Sequence, residues 1–323
     1  MKPIWILYVI TIKNQNMFWK DHRMKRLIYI AAVAAIVLIA ASWVGNLVYY
    51  HHSQLPKAIF LKHHIEEVRA PGYSFELFYL ENKHEKRKLN RIIIPELPNA
   101  MITPMPERNR YTHQTMGSMM VQITDLDTSE EQTGGTEPLI IRTVQGYFSD
   151  GSMDNMDIGE IRLYTLPADN HENTIASNWS SASSDGTGLY NFLVLKKLQI
   201  TGISTAYLNE LGDSFSLLID IGRKLPTGSG MPSYQSVAET PLNAAEYPIS
   251  IHEGDEVSLK YHLNQPLIDA SSGSADIYQL LIQLTFEPEN GKSAVYSFMI
   301  SQNWDLSERD VKRIVAAARG DGE

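Results

Sequence analysis

The densest run of oxygen ligands in the chain is DGSMDNMDIGE, which sets Asp150, Asp154, Asp157 and Glu160 close together with two glycines. Hard cations such as Ca²⁺ take several oxygen ligands, so clustered carboxylates beside a glycine are the material of a cation loop. The spacing does not follow the EF-hand pattern. A solvated turn is the simpler reading, and these four residues stand as the metal candidates of the sequence.

A second group is His51-His52 and His63-His64, with Glu66 and Glu67 close behind. Two imidazoles and a carboxylate suffice to hold Zn²⁺. On a helix His63 and Glu67 would share a face at i,i+4. Adjacent histidines diverge on a helix, however, and no HExxH is present, so a solvated segment is expected. Acid pairs for glycoside hydrolysis are available at Glu66/Glu67, at Glu130/Glu131 and among Glu253, Asp255 and Glu256. Proximity along the chain does not set their separation in the fold. Trp179, in a Ser-rich stretch, could stack on a sugar or tuck into the core edge. Serine chemistry has no support, because neither G-x-S-x-G nor S-x-x-K occurs. Leu225-Pro226-Thr227-Gly228 is one residue short of the sortase signal LPxTG, lies mid-chain and has no hydrophobic tail after it, so it is set aside. No cofactor signature is found.

The elements that must position these residues begin with a long uncharged run, Leu27 to Tyr50 (LIYIAAVAAIVLIAASWVGNLVYY). About 20 apolar residues cross a bilayer core. Trp43, Tyr49 and Tyr50 cluster at one end and Tyr29 sits near the other, as interfacial aromatics do. Lys20, Arg23, Lys25 and Arg26 precede the run, and no lysine follows it before Lys57. The positive flank stays inside, so the reading is a single-pass signal-anchor with residues 1–26 cytoplasmic and residues 51–323 extracytoplasmic. The Ala40-Ala41-Ser42 site would allow cleavage as a signal peptide, but the apolar sequence continues past it. Met24-Lys25-Arg26 is itself a well-formed export start, so Met24 is expected to be the initiator, with residues 1–23 an over-extended gene prediction.

Beyond the span, Lys57 to Arg69 (KAIFLKHHIEEVR) reads as an amphipathic stalk helix, apolar at Ile59, Leu61, Ile65 and Val68 and ended by Pro71-Gly72; the stalk covers 51–71. Strand patterns then dominate over 72–323: Tyr73–Leu80, Leu89–Ile94, Ser118–Ile123, Leu139–Phe148, Ile158–Leu166, Leu189–Ile203, Phe215–Ile221, Val257–Leu263, Ile277–Phe286 and Ala294–Ser301. Pro95–Pro106, Ser149–Asp157 and Asn170–Gly188 read as loops or turns, and Lys224–Ala245 as a long loop or interdomain link. Asn290-Gly291 marks a tight hairpin turn between the last two strands. Ser307, with Asp310 three residues on, opens a C-terminal amphipathic helix with Val311, Ile314 and Val315 on one face and Gly320 at its end. Short strands without βαβ alternation point to a mainly β, sandwich-like architecture and exclude a nucleotide-binding α/β fold.

The chain has 323 residues and no cysteine, which excludes disulfides, thiol nucleophiles and a lipidated cysteine. Of 28 Lys/Arg and 37 Asp/Glu, six of the former and one of the latter precede Leu27, so the acidic balance belongs to the bulk beyond the span. An acidic surface argues against nucleic-acid partners. Two functions fit. The first is a membrane-tethered β domain that binds a protein or an envelope polymer. The second is an extracytoplasmic hydrolase working through two carboxylates, which requires a deep cleft holding a carboxyl pair, one of them with a raised pKa.

Overall fold

Period-two burial organises most of the chain. In Glu256–Leu263 every second residue is buried, with Val257, Leu259, Tyr261 and Leu263 turned inward, as expected of a strand with one face on a core. The computed structural model describes residues 4–124, 137–166, 174–183, 185–225, 233–241, 245–264, 267–268, 275–289, 291–301 and 305–320. It divides into two units, Met1–Gln54 and Leu55–Glu323.

The first unit is one helix, α1 (Ile4–His52). Its stretch Arg26–His52, 27 residues, is long and apolar enough to cross a membrane. Leu38, Trp43 and Val44 are exposed on it, and a helix apolar all round is the pattern of a membrane span. The apolar run expected at Leu27–Tyr50 is therefore one continuous helix.

The second unit is mainly β, in three sheets. Sheet I holds β1 (Ile59–Phe60), β3 (Ser74–Asn82), β5 (Met101–Pro104), β6 (Asn109–Arg110) and β7 (Gln114–Gln122), with β3 and β7 at its centre. Sheet II runs in the order β10 (Ile175–Ala182), β11 (Thr187–Val194), β16 (Glu256–Leu263), β13 (Phe215–Leu225) and β14 (Ser233–Pro241). Sheet III has nine strands. Its path is β15 (Ile249–Ile251), β12 (Leu198–Ser204), β18 (Ala275–Pro288), β2 (Lys62–Val68), β9 (Met153–Tyr164), β8 (Leu139–Phe148) and β4 (Leu89–Ile93), with β17 (Leu267–Ile268) and β19 (Ala294–Ser301) also paired to β18.

Sheet III is shared by two cores. Leu77, Met119 and Val121 of sheet I meet Ile141, Ile158 and Ile161 of sheet III in one cluster. Phe192, Ile219 and Leu259 of sheet II meet Ile200, Leu280 and Phe286 in the other. Two sandwiches thus lie on one sheet and join where β18 and β2 run parallel. The C-terminal helix α3 (Glu308–Arg319) closes a third cluster with Val311, Ile314 and Val315, whose i, i+3, i+4 spacing makes a single buried face. Its start is the expected capping box, with the Asp310 N–H donating to Ser307 Oγ and the Ser307 N–H donating to the Asp310 carboxylate. Gly320 ends it in the left-handed conformation.

Several expectations are corrected: Ser149–Asp157 is a turn only as far as Ser152, since β9 begins at Met153, and Leu189–Ile203 is divided between β11 and β12. Residues 57–69 are not a helical stalk: they form β1 and β2, and β2 is a central strand paired in parallel on both sides. Lys224–Ala245 is not a continuous loop, because β14 pairs back on β13 from Leu218↔Pro241 to Leu225↔Ser233. Within Asn170–Gly188, β10 pairs with β11 over Ile175–Ala182. Within Pro95–Pro106, β5 pairs with β7. The hairpin of β18 and β19 is as expected, with Phe286 opposite Ala294; Asn290 lies outside the described residues.

Candidate functional site

The most unusual chemistry is on β2, where His63, Glu66 and Glu67 are all buried. Gly159 of β9 makes this possible. It adopts φ +90°, and the His63 backbone occupies the space a side chain would need. The two strands can therefore close with His63 opposite Gly159.

His63 is locked as one neutral tautomer. The Phe78 N–H donates to Nε2 at 2.9 Å, so Nε2 carries no proton and Nδ1–H donates to the Ile158 carbonyl at 3.1 Å. Burial lowers its pKa to about 4. Glu67, on the same face two residues past Ile65, accepts from the Val68 N–H at 2.8 Å and the Gln279 amide at 3.1 Å. Neither donor is charged, and burial raises the carboxyl to about 7. Glu66 leaves the opposite face. It fills the gap on the edge of β18 between β2, which ends its pairing at Gln279, and β12, which begins at Gln283. Four donors converge there: Thr205 Oγ1, Ala206 N–H at 2.9 Å, Tyr164 OH at 3.0 Å and Leu281 N–H at 3.4 Å. Burial pushes the Glu66 pKa up, and these four bonds oppose the rise. His64 shares that face, stacked on Tyr278 at 4.5 Å and edge-on to Tyr207, with Nε2 3.4 Å from Asp276.

Thr205 connects this buried cluster to open space. A cleft of about 560 Å³ lies between the end of β12, the start of β13 and α2 (Leu208–Leu211), with Ile282 of β18 also in its wall. Leu208 and Tyr247 line it and are exposed apolar side chains. Ile203, Phe215 and Leu217 add further apolar wall, and Ser204, Asn209 and Ser216 supply neutral polar groups. Asp213 is the one charged residue among the described residues that line it. An apolar wall with a few polar groups is the general make-up of a ligand pocket, which makes this cleft the candidate site.

The sequence candidates lie elsewhere. Asp154 receives Arg87 Nη2 at 2.9 Å and has Lys57 Nζ at 3.8 Å. Asp150 accepts from the Ser152 hydroxyl and N–H. These contacts hold both carboxyls below the usual range: the Ser152 bonds at Asp150, and the Arg87 bond at Asp154. Asp157 accepts from the Gly159 N–H at 2.9 Å. Glu160 is gripped by Arg162 and Arg142, whose bonds outweigh burial and lower its pKa. The run is thus tied up in cation pairs and turn bonds. Among the described residues no three His, Asp or Glu side chains converge as a metal set. Asp255 is buried and accepts from the His252 N–H at 3.1 Å. Glu130 and Glu131 lie outside the described residues. Trp179 is exposed on β10. The cleft residues carry no motif; only the polar Ser204-Thr205 pair after an apolar strand distinguishes them in sequence.

No family model and no curated protein matches the chain. The solved structures similar to it include a β-glucuronidase from glycoside hydrolase family 2, at 10% identity and a TM-score of 0.16, over 76% of this chain and 27% of that one. The chain spans about a quarter of that enzyme's length, and a likeness at this level carries nothing about activity.

Proposed function

We propose that this protein is a single-pass membrane-anchored binding protein that holds a protein or envelope-polymer partner in the cleft beside α2. The apolar helix anchors it, with the basic N-terminal flank in the cytoplasm and the β unit outside. The observation that carries the binding reading is the cleft itself, lined by exposed Leu208 and Tyr247 and, among the described residues, by the single charge of Asp213. A hydrolase acting through two carboxylates needs both of them across one cleft. Glu66 and Glu67, the two carboxyls among the described residues whose pKa burial raises, leave β2 on opposite faces, and neither lines the cleft. This favours binding over hydrolysis.

Photo-crosslinking in the source cells tests the site. A photoreactive residue at Leu208 or Tyr247 is expected to capture a partner, while one at the exposed Met153 on β9 does not. Equal capture from all three positions, or none, would reject the cleft. Because the chain has no cysteine, a single Cys at exposed Ser180 tests orientation. A membrane-impermeant maleimide is expected to label it on intact cells, and labelling only after lysis would place the β unit inside.

A further inference from the structure

The strand pattern around the cleft says what shape of ligand it suits. β18 pairs with β12 as far as Ser204, but β15 covers the other edge of β12 only over Leu198–Ile200. Continuing that antiparallel register would bring Pro248, Tyr247 and Glu246 against Thr201, Gly202 and Ile203. Pro248 has no N–H to give, and residues 245–248 form no strand. Among the described residues the edge from Gly202 to Ser204 therefore has no strand beside it. In an antiparallel pair alternate residues turn their N–H and C=O outward, so this edge presents unused backbone groups on the side where Tyr247 stands. Nothing lies within 4 Å of the place a side chain at Gly202 would take, so the face of the strand is open there as well.

The lining fits the same ligand. Ile203 and the exposed Leu208 offer apolar contacts of the kind that receive alternate side chains of an added strand. Among the described residues the only charge in the lining is Asp213 and no Lys, Arg or His lines the cleft; Glu210 in α2 and Glu246 beside Tyr247 extend the acidic character. A carboxylate beside apolar walls attracts a cation more strongly than one in open water. Edge strands left open in this way are ready templates for pairing.

We infer that the cleft takes an extended polypeptide segment bearing a cationic side chain, added as a short strand to the free edge of β12 with its cation toward Asp213. This rests on the proposed binding role of the cleft and specifies its ligand. About three residues of strand, roughly 10 Å, are enough to span the open edge.

The test is calorimetric titration of the full chain in detergent with the capped peptide acetyl-Val-Lys-Val-Lys-Val-amide. Saturable binding is expected, with at least tenfold loss when both lysines become glutamate. N-methylation of the alternate amides along one edge of the peptide should abolish binding, and methylation along the other edge should spare it. Asp213→Asn should shrink the lysine-over-glutamate preference without unfolding an exposed site. Binding that is indifferent to methylation on both edges, or to the sign of the peptide's charge, would overturn the inference. If no peptide binds while Leu208 and Tyr247 still crosslink a polysaccharide, the inference fails and the cleft stands as a binding site. A crosslink to a second copy, with a dimer lost in Tyr247→Ala, would assign the cleft to self-association and also overturn it. If neither peptide binding nor crosslinking occurs, both readings fall.

Discussion

Replacing Glu67 with glutamine isolates a proton that the fold retains. The carboxyl is fully buried on β2 and held by two uncharged donors, and burial raises its pKa from 4.5 to about 7. The unfolded chain ionises it near its ordinary value. Because the folded pKa is the higher one, its contribution to stability is complete below pH 4.5 and is lost as pH rises toward 7. At about 1.4 kcal/mol per pH unit, that interval is worth about 3 kcal/mol. In Glu67→Gln the new side chain keeps an acceptor for the Val68 N–H, and the Gln279 amide can turn to present its oxygen to the new amide. The variant and the wild type should therefore differ by a constant below pH 4.5, and above pH 7 the difference should have moved by about 3 kcal/mol in favour of the variant. Urea unfolding of the full chain in detergent, from pH 4 to pH 8, measures it. Taking the difference between the two proteins cancels every other titrating group. A difference that does not change with pH, or that grows toward acid, would refute the reasoning.

The complementary variant, His63→Gln, should show the opposite slope. The lowered pKa of His63, about 4 in the fold, makes its contribution complete above about pH 6.5 and lost as pH falls, so the variant should gain relative to wild type by about 3 kcal/mol on acidification. Gly159→Val should cost about 3 kcal/mol or more, since a side chain would combine strain at φ +90° with a collision against the His63 backbone; a melt should fall by about 10 °C. Glu66→Gln should destabilise by about 2 to 3 kcal/mol in urea, because an amide cannot accept from four converging donors. Ser307→Ala should cost about 1 kcal/mol and raise amide exchange in the first turn of α3, with little change in the sheets.

The parts of the fold legible in sequence were those governed by local rules. The capping box at Ser307, the apolar face of α3 and the β18–β19 hairpin depend on neighbours a few residues away. The misread segments share one cause. Lys62–Val68 contains two histidines and two glutamates, which local reasoning places in water. In the fold its faces are covered from both sides, and Phe78 N–H, Gln279, Thr205 and Tyr164 arrive from distant positions to satisfy those groups. Ser- and Asn-rich β10 reads as a loop because seven of its eight residues are not buried; it is a strand only because β11 lies beside it. The partners that pair with the acids of residues 150–160, Arg87 in the loop before β4 and Arg142 on β8, lie too far along the chain for the sequence to pair them.

Sequence alone therefore determined the apolar helix, the mainly β class, the C-terminal cap and the absence of cysteine chemistry, because each rests on composition or on contacts close along the chain. Tertiary structure alone decided that β2 is central, that one sheet serves two cores, that Glu66 plugs the gap between β2 and β12, and that a cleft opens where β15 stops short of the end of β12. Those features depend on pairings between residues tens to hundreds of positions apart. Burial there changes what a histidine or a glutamate is chemically, and no local pattern in the chain records it.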